Sequence, residues 1–349
     1  MIYFCNKFRP VEKGRVLMAD AHNRKIPFCM RKMSEALEAE GYQVEYFFSD
    51  YQKDAWLVTV KKMFSFMLKY TQAEYVIICD SFLPVASCKK KKETKVIQLW
   101  HAGGALKKFG YDAEEDIAPY YKGNIYKNYT WVTVSDKKVI PYFSGAMHLP
   151  STAFVATGLS RTDYYYEKGF REAVKEIFYK EYPEAAGKKI VLWAPTFRGN
   201  PSEPKVAGAE SIAYMEKELG ESYFVIKRLH PNMMNVPEKL DLSTEELLGI
   251  ADVLITDYSS IIFDFMLYRK PIIKFVPDFV QYESKRGFYI PYEELPGQCV
   301  MNGTELTQAV QKAEDTFCIE DIEICIEKYM SACNGNATKK ILRLMKERG

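Results

Sequence analysis

The chain has 349 residues, of which 48% are hydrophobic and 27% charged, with a formal net charge of +2. That length supports a large core in one very large domain or two ordinary ones, and the composition excludes a disordered chain. The charge balance gives no whole-protein attraction to nucleic acid, and the longest apolar runs are too short to cross a bilayer.

In chain order, residues 15–19 (RVLMA) read as a first strand and residues 32–40 as a helix closed by Gly41. Residues 44–48, 75–79 and 96–99 are further short apolar runs ending in polar residues. Strands alternating with helices predict a parallel, doubly wound sheet. Between two of these strands, residues 55–70 (AWLVTVKKMFSFMLKY) form a helix with a wide apolar face, Trp56 near one end and Lys61, Lys62 and Lys69 beside it. That pattern fits a core helix of the sheet or an interfacial membrane helix. The run Lys89-Lys90-Lys91-Lys92 has no packing reason and adds attraction to anionic lipid. Eight cysteines form no CxxC pair and no zinc-spaced Cys/His cluster, and no secretory leader is recognisable. Reduced thiols in a cytoplasmic protein are therefore expected.

The strand at 96–99 runs into Trp100-His101-Ala102-Gly103-Gly104. A histidine at a strand's carboxyl end sits where open α/β sheets place their chemistry, and a neutral imidazole there can take a proton from a hydroxyl. The two glycines would let a ligand approach the backbone. The alternative is a structural histidine satisfied by backbone. Residues 131–135 and 153–156 supply two more strands, followed by Gly158-Leu159-Ser160-Arg161-Thr162-Asp163, in which Arg161 and Asp163 either face a cleft or pair with each other. Residues 164–189 read as a helix and a connector, dividing the chain into domains at 1–165 and 166–349.

In the second half, residues 190–194 end in Pro195-Thr196-Phe197-Arg198-Gly199, and residues 224–226 lead into His230-Pro231. A helix at 244–251 precedes the strand 253–255. That strand ends in Thr256-Asp257-Tyr258-Ser259-Ser260, small polar residues suited to capping the helix that begins at Ile261. A last apolar run covers 272–275. Arg198, His230, Ser259 and Ser260 each follow a strand of one sheet, so they can converge on one edge and receive a phosphorylated ligand. Residues 278–287 read as a loop bringing Asp278, Tyr282, Glu283 and Arg286 to a ligand, and residues 336–346 as a final helix. The expected fold is α/β and GT-B-like, with two Rossmann-like doubly wound domains facing a central cleft.

From residue 98 to the C-terminus these motifs together resemble the CDP-glycerol glycerophosphotransferases of teichoic acid and capsule synthesis. The resemblance rests on Trp100-His101-Ala102-Gly103 with Lys107 and Gly110, on Gly158 to Asp163, on Ala194-Pro195-Thr196-Phe197-Arg198 and on His230-Pro231. Thr256 to Ser260 with Phe263-Asp264-Phe265, Lys270-Pro271, Arg286-Gly287 and Asn334-Gly335-Asn336-Ala337 complete it. The family usually has glycine at Ala102, tryptophan at Phe197 and aspartate at Asn334. The resemblance implies transfer of a polyol phosphate from CDP-glycerol or CDP-ribitol to an undecaprenyl-diphosphate-linked saccharide, with release of CMP. His101 would be the general base, and His230 catalytic as well as a pyrophosphate ligand with Ser259 and Ser260. Thr196, Arg198, Asp257, Asp264 and Arg286 would complete the donor side, and Gly103, Lys107, Arg161 and Asp163 the acceptor side. No metal or other cofactor is implied, and no nucleic-acid partner. The protein would work at the cytoplasmic face of the bacterial cell membrane as a peripheral protein. Its length suits a primase or a capsule transferase better than a long-chain polymerase. The rivals are a GT-B sugar transferase or nucleotide-sugar epimerase, and a non-catalytic binder of polyanionic polymer or lipid.

Overall fold

Each short apolar run of the first half becomes a parallel strand in the computed structural model, which describes residues 6–51, 53–113, 116–117, 121–199, 205–229 and 241–348. The chain divides into two units, the first made of residues 1–102, 109–166 and 331–349 and the second of residues 103–108 and 167–330. The first unit carries β1 (Glu12–Asp20), β2 (Gln43–Phe48), β3 (Ala73–Ile78), β4 (Lys95–Gln98), β5 (Trp131–Thr133) and β6 (Phe154–Val155). They pair in parallel in the order β2-β1-β3-β4-β5-β6. Consecutive residues Val16, Leu17 and Met18 are all buried, as expected of a strand covered on both faces. The chain runs outward from β1 to β2 and returns to the other side of β1 with β3. The switch point, where open α/β sheets bind their ligands, therefore lies between β1 and β3.

Helices α1 (Phe28–Ala39), α2 (Trp56–Tyr70) and α3 (Ile140–Met147) belong to this unit. In α2 only Phe66 and Tyr70 are buried. Trp56 and Leu57 are 72% and 62% exposed, and Val60 and Phe64 join them in an apolar ridge on the surface. Two of the four lysines at 89–92 do have a packing reason, contrary to expectation. Lys90 donates to Thr94 O (2.9 Å) and Thr130 Oγ1 (3.1 Å), and Lys91 to Thr71 O (2.6 Å), tying the loop to the sheet.

The second unit contains α4 (Phe170–Glu181), β7 (Lys189–Ala194), α5 (Ala209–Leu219), β8 (Tyr223–Lys227), α6 (Thr244–Leu247), β9 (Val253–Thr256), α7 (Ile261–Met266), β10 (Ile272–Phe275), α8 (Phe279–Arg286), β11 (Gln298–Val300), α9 (Gly303–Gln311) and α10 (Ile319–Tyr329). Its sheet is again all parallel, in the order β11-β10-β9-β7-β8, which puts its switch point between β7 and β9. Val191, Trp193, Ile255, Ile273 and Phe275 from the strands pack with Ile212 and Met215 of α5 and Leu306 and Val310 of α9. Residues 279–286, read from sequence as loop, are helical. No residue of α8 is buried, so the apolar periodicity that announces a helix is missing there.

The final helix, α11 (Ala337–Arg348), was expected with the second domain but belongs to the first unit. Its first turn is held by Asp163, whose carboxylate accepts the backbone N–H groups of Ala337 (3.0 Å) and Thr338 (2.8 Å). Farther along, Tyr75 donates to Met345 O at 2.8 Å. Among the described residues no helix is long and apolar enough to cross a membrane.

Candidate active site

In the first unit, His101 stands three residues beyond β4. Its neighbour Trp100 has a φ of 58°, a left-handed conformation that costs a non-glycine residue roughly 1–3 kcal/mol. The buried Gln98 side chain holds this turn, with Oε1 accepting the Trp100 N–H (3.0 Å) and Nε2 donating to Asp80 O (3.1 Å). The Trp100 ring packs on Phe109 and Phe143 and stacks on the His101 imidazole, with centroids 4.9 Å apart. His101 Nδ1 lies 3.2 Å from Cys79 O. A carbonyl can only accept, which assigns the proton to Nδ1 and leaves a lone pair on Nε2. The side chain is 46% exposed. A strained turn thus presents a half-exposed, oriented imidazole, the arrangement a general base requires.

Two residues expected on the acceptor side serve the scaffold of this unit instead. Asp163 spends both carboxylate oxygens on the first turn of α11, and Arg161 is wholly buried. Neither faces an open surface. The other two acceptor-side candidates lie in the second unit, in the segment 103–108. A Cβ on Gly103 would come within 2.9 Å of Phe263 and Met330, and one on Gly104, at φ +58°, within 2.3 Å of the Phe263 ring. These glycines are there for close packing on α7, which corrects the reading that they open space for a ligand. Lys107 forms an antiparallel bridge with Phe288, and Lys108 N–H donates to Gly287 O at 3.2 Å.

Around the β7/β9 switch point of the second unit, Arg198 is a hub. Its Nε donates to Asp278 Oδ2 (2.7 Å), and Nη2 to Asp257 Oδ2 (2.9 Å) and Asp278 Oδ1 (3.0 Å). Nη1 donates to Thr196 O at 2.5 Å. The guanidinium lies over the rings of Tyr258 and Tyr282, 5.0 and 4.8 Å from their centroids. Burial opposes its charge, yet the two carboxylates hold its pKa above the ordinary arginine value. Burial pushes the Asp257 carboxyl up, against the Arg198 charge and the Thr196 N–H donated to it at 2.7 Å. Burial alone would raise Asp278 as well, but the Arg198 bonds and charge, with Tyr258, bring it below the usual range. Arg198, Thr196 and Asp257, all expected on the donor, are therefore engaged with one another, and a guanidinium shared by two carboxylates has little charge to offer a phosphate.

Ser259 and Ser260 are half-buried at the start of α7. Ser260 makes no side-chain cap, and Ser259 Oγ accepts the Ile261 N–H only at 3.4 Å. The expected capping is weak, which leaves the hydroxyls for other partners, while a helix of six residues contributes little dipole. Asp264, expected on polyol hydroxyls, is 1% exposed within α7. Arg286 is half-buried in the last turn of α8. His230 lies outside the described residues. Sequence reasoning missed Asp80, whose Oδ2 is 3.7 Å from His101 Nδ1. It follows β3 as His101 follows β4, and that position was its signal.

Two parallel α/β units that share a strand order over their first five strands define a GT-B-like fold, and the wall teichoic acid polymerase TagF shares it, with a TM-score of 0.80 at 22% identity over 97% of this chain and 89% of that one. The chain belongs to the CDP-glycerol:poly(glycerophosphate) glycerophosphotransferase family, whose family model matches residues 1–347. It is 28% identical over 353 residues to a teichoic acid poly(ribitol-phosphate) polymerase of Bacillus spizizenii, covering 95% of this chain. The chain spans 56% of that relative's length. It is 30% identical to a teichoic acid glycerol-phosphate primase of Bacillus subtilis, over 77% of this chain and 73% of the primase.

Proposed function

We propose that the protein is a CDP-polyol phosphotransferase of teichoic acid or capsule synthesis, with glycerol phosphate as cargo and a primase-like role. The observation that carries this reading is His101, half-exposed, with Nδ1 3.2 Å from Cys79 O, a carbonyl that can only accept and so assigns the lone pair to Nε2. Nε2 takes the proton of an acceptor hydroxyl as its oxygen bonds to the phosphorus that bears the polyol. The bond from that phosphorus to the bridging oxygen breaks, and CMP leaves. Ser259 and Ser260, with His230, bind the pyrophosphate, while Arg198 and its carboxylates fix the loops that carry them. Positioning and electrostatics carry such a transfer, and no metal is assigned.

The test is CMP release from CDP-glycerol and, separately, from CDP-ribitol, with an undecaprenyl-diphosphate-linked disaccharide as acceptor. Release from CDP-glycerol supports the reading. Release from CDP-ribitol alone moves the cargo to ribitol phosphate, the second reading that the similarity to the ribitol-phosphate polymerase favours. Silence with both donors and a folded protein overturns the transferase.

We also propose that the protein works peripherally on the cytoplasmic face of the bacterial membrane, where a lipid-linked acceptor resides. The exposed ridge of α2, with Trp56 and Leu57 at its start and Lys61 beside it, supports this. Wild-type protein is expected to co-sediment with vesicles containing anionic phosphatidylglycerol. Removing two apolar anchors, each stabilising by roughly 1.5–3 kcal/mol when buried, in a Trp56→Glu/Leu57→Glu variant should weaken binding at least about tenfold. Equal sedimentation of the two proteins would sink the idea.

A further inference from the structure

Asp80 sits at the switch point of the first sheet, two residues beyond β3 and opposite the end of β1. Its carboxylate is held by one oxygen and turns the other toward two rings. Oδ1 accepts the Ser81 N–H at 2.6 Å, while Oδ2 faces two imidazoles, 3.7 Å from His101 Nδ1 and 4.0 Å from His22 Nε2. The backbone carbonyl of Asp80 accepts from Gln98 Nε2, the same side chain that holds the left-handed turn at Trp100. His22 is itself anchored, its N–H donating to Asp20 Oδ1 at 2.8 Å. One carboxylate is thus built into the turn that presents His101 and shares its Nδ1 edge with the Cys79 carbonyl, 3.2 Å away.

We propose that Asp80 is the positioning residue for His101. At 3.7 Å it is beyond hydrogen-bond reach, so it acts through its charge. A carboxylate beside Nδ1 favours the tautomer with the proton on that nitrogen, reinforcing the bond to Cys79 O and keeping Nε2 as the lone pair. When Nε2 accepts the proton of the acceptor hydroxyl the ring becomes an imidazolium, and the Asp80 carboxylate balances the new charge. The proton stays on the imidazole and does not pass to the carboxylate.

This inference rests on the transferase reading, and the experiment separates the two. Asp80→Asn preserves size and can keep the Ser81 bond, while its amide removes the charge and offers N–H groups to the ring. CMP release, donor affinity and the nitrogen-15 NMR spectrum of the imidazoles are measured, with the His101 signal assigned by its loss in His101→Ala. The expected result is a kcat lowered roughly 10- to 100-fold, part of the effect of removing a general base, with donor affinity unchanged. The His101 spectrum should show proton density moved from Nδ1 to Nε2. Asp80→Glu, which restores the charge, should recover part of both the rate and the spectrum. A His101 spectrum in Asp80→Asn identical to wild type overturns the inference whatever the rate does. If wild-type protein releases CMP from neither donor, the transferase reading falls, and the spectrum still decides the role of Asp80.

Discussion

Replacing His101 by alanine is expected to lower CMP release by about 10²- to 10⁴-fold, the range a positioned general acid or base contributes. Donor binding should be largely spared, because the donor ligands proposed here are Ser259, Ser260 and His230, while His101 acts on the acceptor hydroxyl. The fold should be spared too. The imidazole is half-exposed and hydrogen-bonds the backbone carbonyl of Cys79, so its loss strands no buried polar side chain. The Trp100 ring keeps its contacts with Phe109 and Phe143, and Gln98 still holds the turn. The variant is therefore expected to unfold at nearly the wild-type denaturant midpoint and to bind the donor with nearly wild-type affinity. Turnover at the wild-type rate would remove the base assignment, and loss of donor affinity in parallel with rate would move His101 to the donor side.

The strands were legible because buried parallel strands are written as short apolar runs closed by polar residues, and residues 15–19, 190–194 and 253–255 each fall inside a strand. His101 was legible for the same reason, since a histidine after such a run stands at a sheet's carboxyl edge. What escaped were partnerships distant in sequence. Asp163 meets α11 across 174 residues, and nothing in the local Gly158 to Asp163 pattern announces a helix end so far away. Arg198 looked like a phosphate ligand because a cation at a sheet edge suits an anion. Its two carboxylates arrive from the end of β9 and the start of α8, and only the fold brings them together. The glycines after His101 could not be told from ligand-clearing glycines without knowing that Phe263 packs on them. The stretch became α8 rather than loop because helices without a buried face carry no periodic apolar signal.

The Arg198 cluster leads to the second large effect, on stability. Arg198→Ala is expected to destabilise the protein by roughly 3–5 kcal/mol near neutral pH, the cost of breaking a buried ion pair by removing one partner. The reason is what remains. Asp257 is buried, and without Arg198 its charge is left with the Thr196 N–H, while Thr196 O and Asp278 each lose a donor. The pH dependence follows from the two carboxyls. Asp257 already has a raised pKa through burial, and removing the guanidinium raises it further. The folded variant then binds a proton more readily than the unfolded chain, so its stability rises as pH falls through the folded value toward the ordinary one near about 4. Asp278 has a lowered pKa in the wild type, so the stability it contributes is present above its unfolded pKa and is lost as pH falls through the folded value. Both terms shrink the gap between the two proteins on acidification, the Asp257 term above the ordinary carboxylate value of about 4 and the Asp278 term only below it. The change down to pH about 4.5 therefore reports Asp257. Urea unfolding of wild type and Arg198→Ala from pH 7 down to about 4.5 should show the largest difference at pH 7 and a steadily smaller one below. Arg198→Lys should recover little, because an ammonium cannot reproduce the forked contacts to Asp257 and Asp278 or the packing over Tyr258 and Tyr282. A difference that stays constant across this range would mean that the guanidinium acts by packing alone, and Arg198 would return to the list of groups open to a donor phosphate.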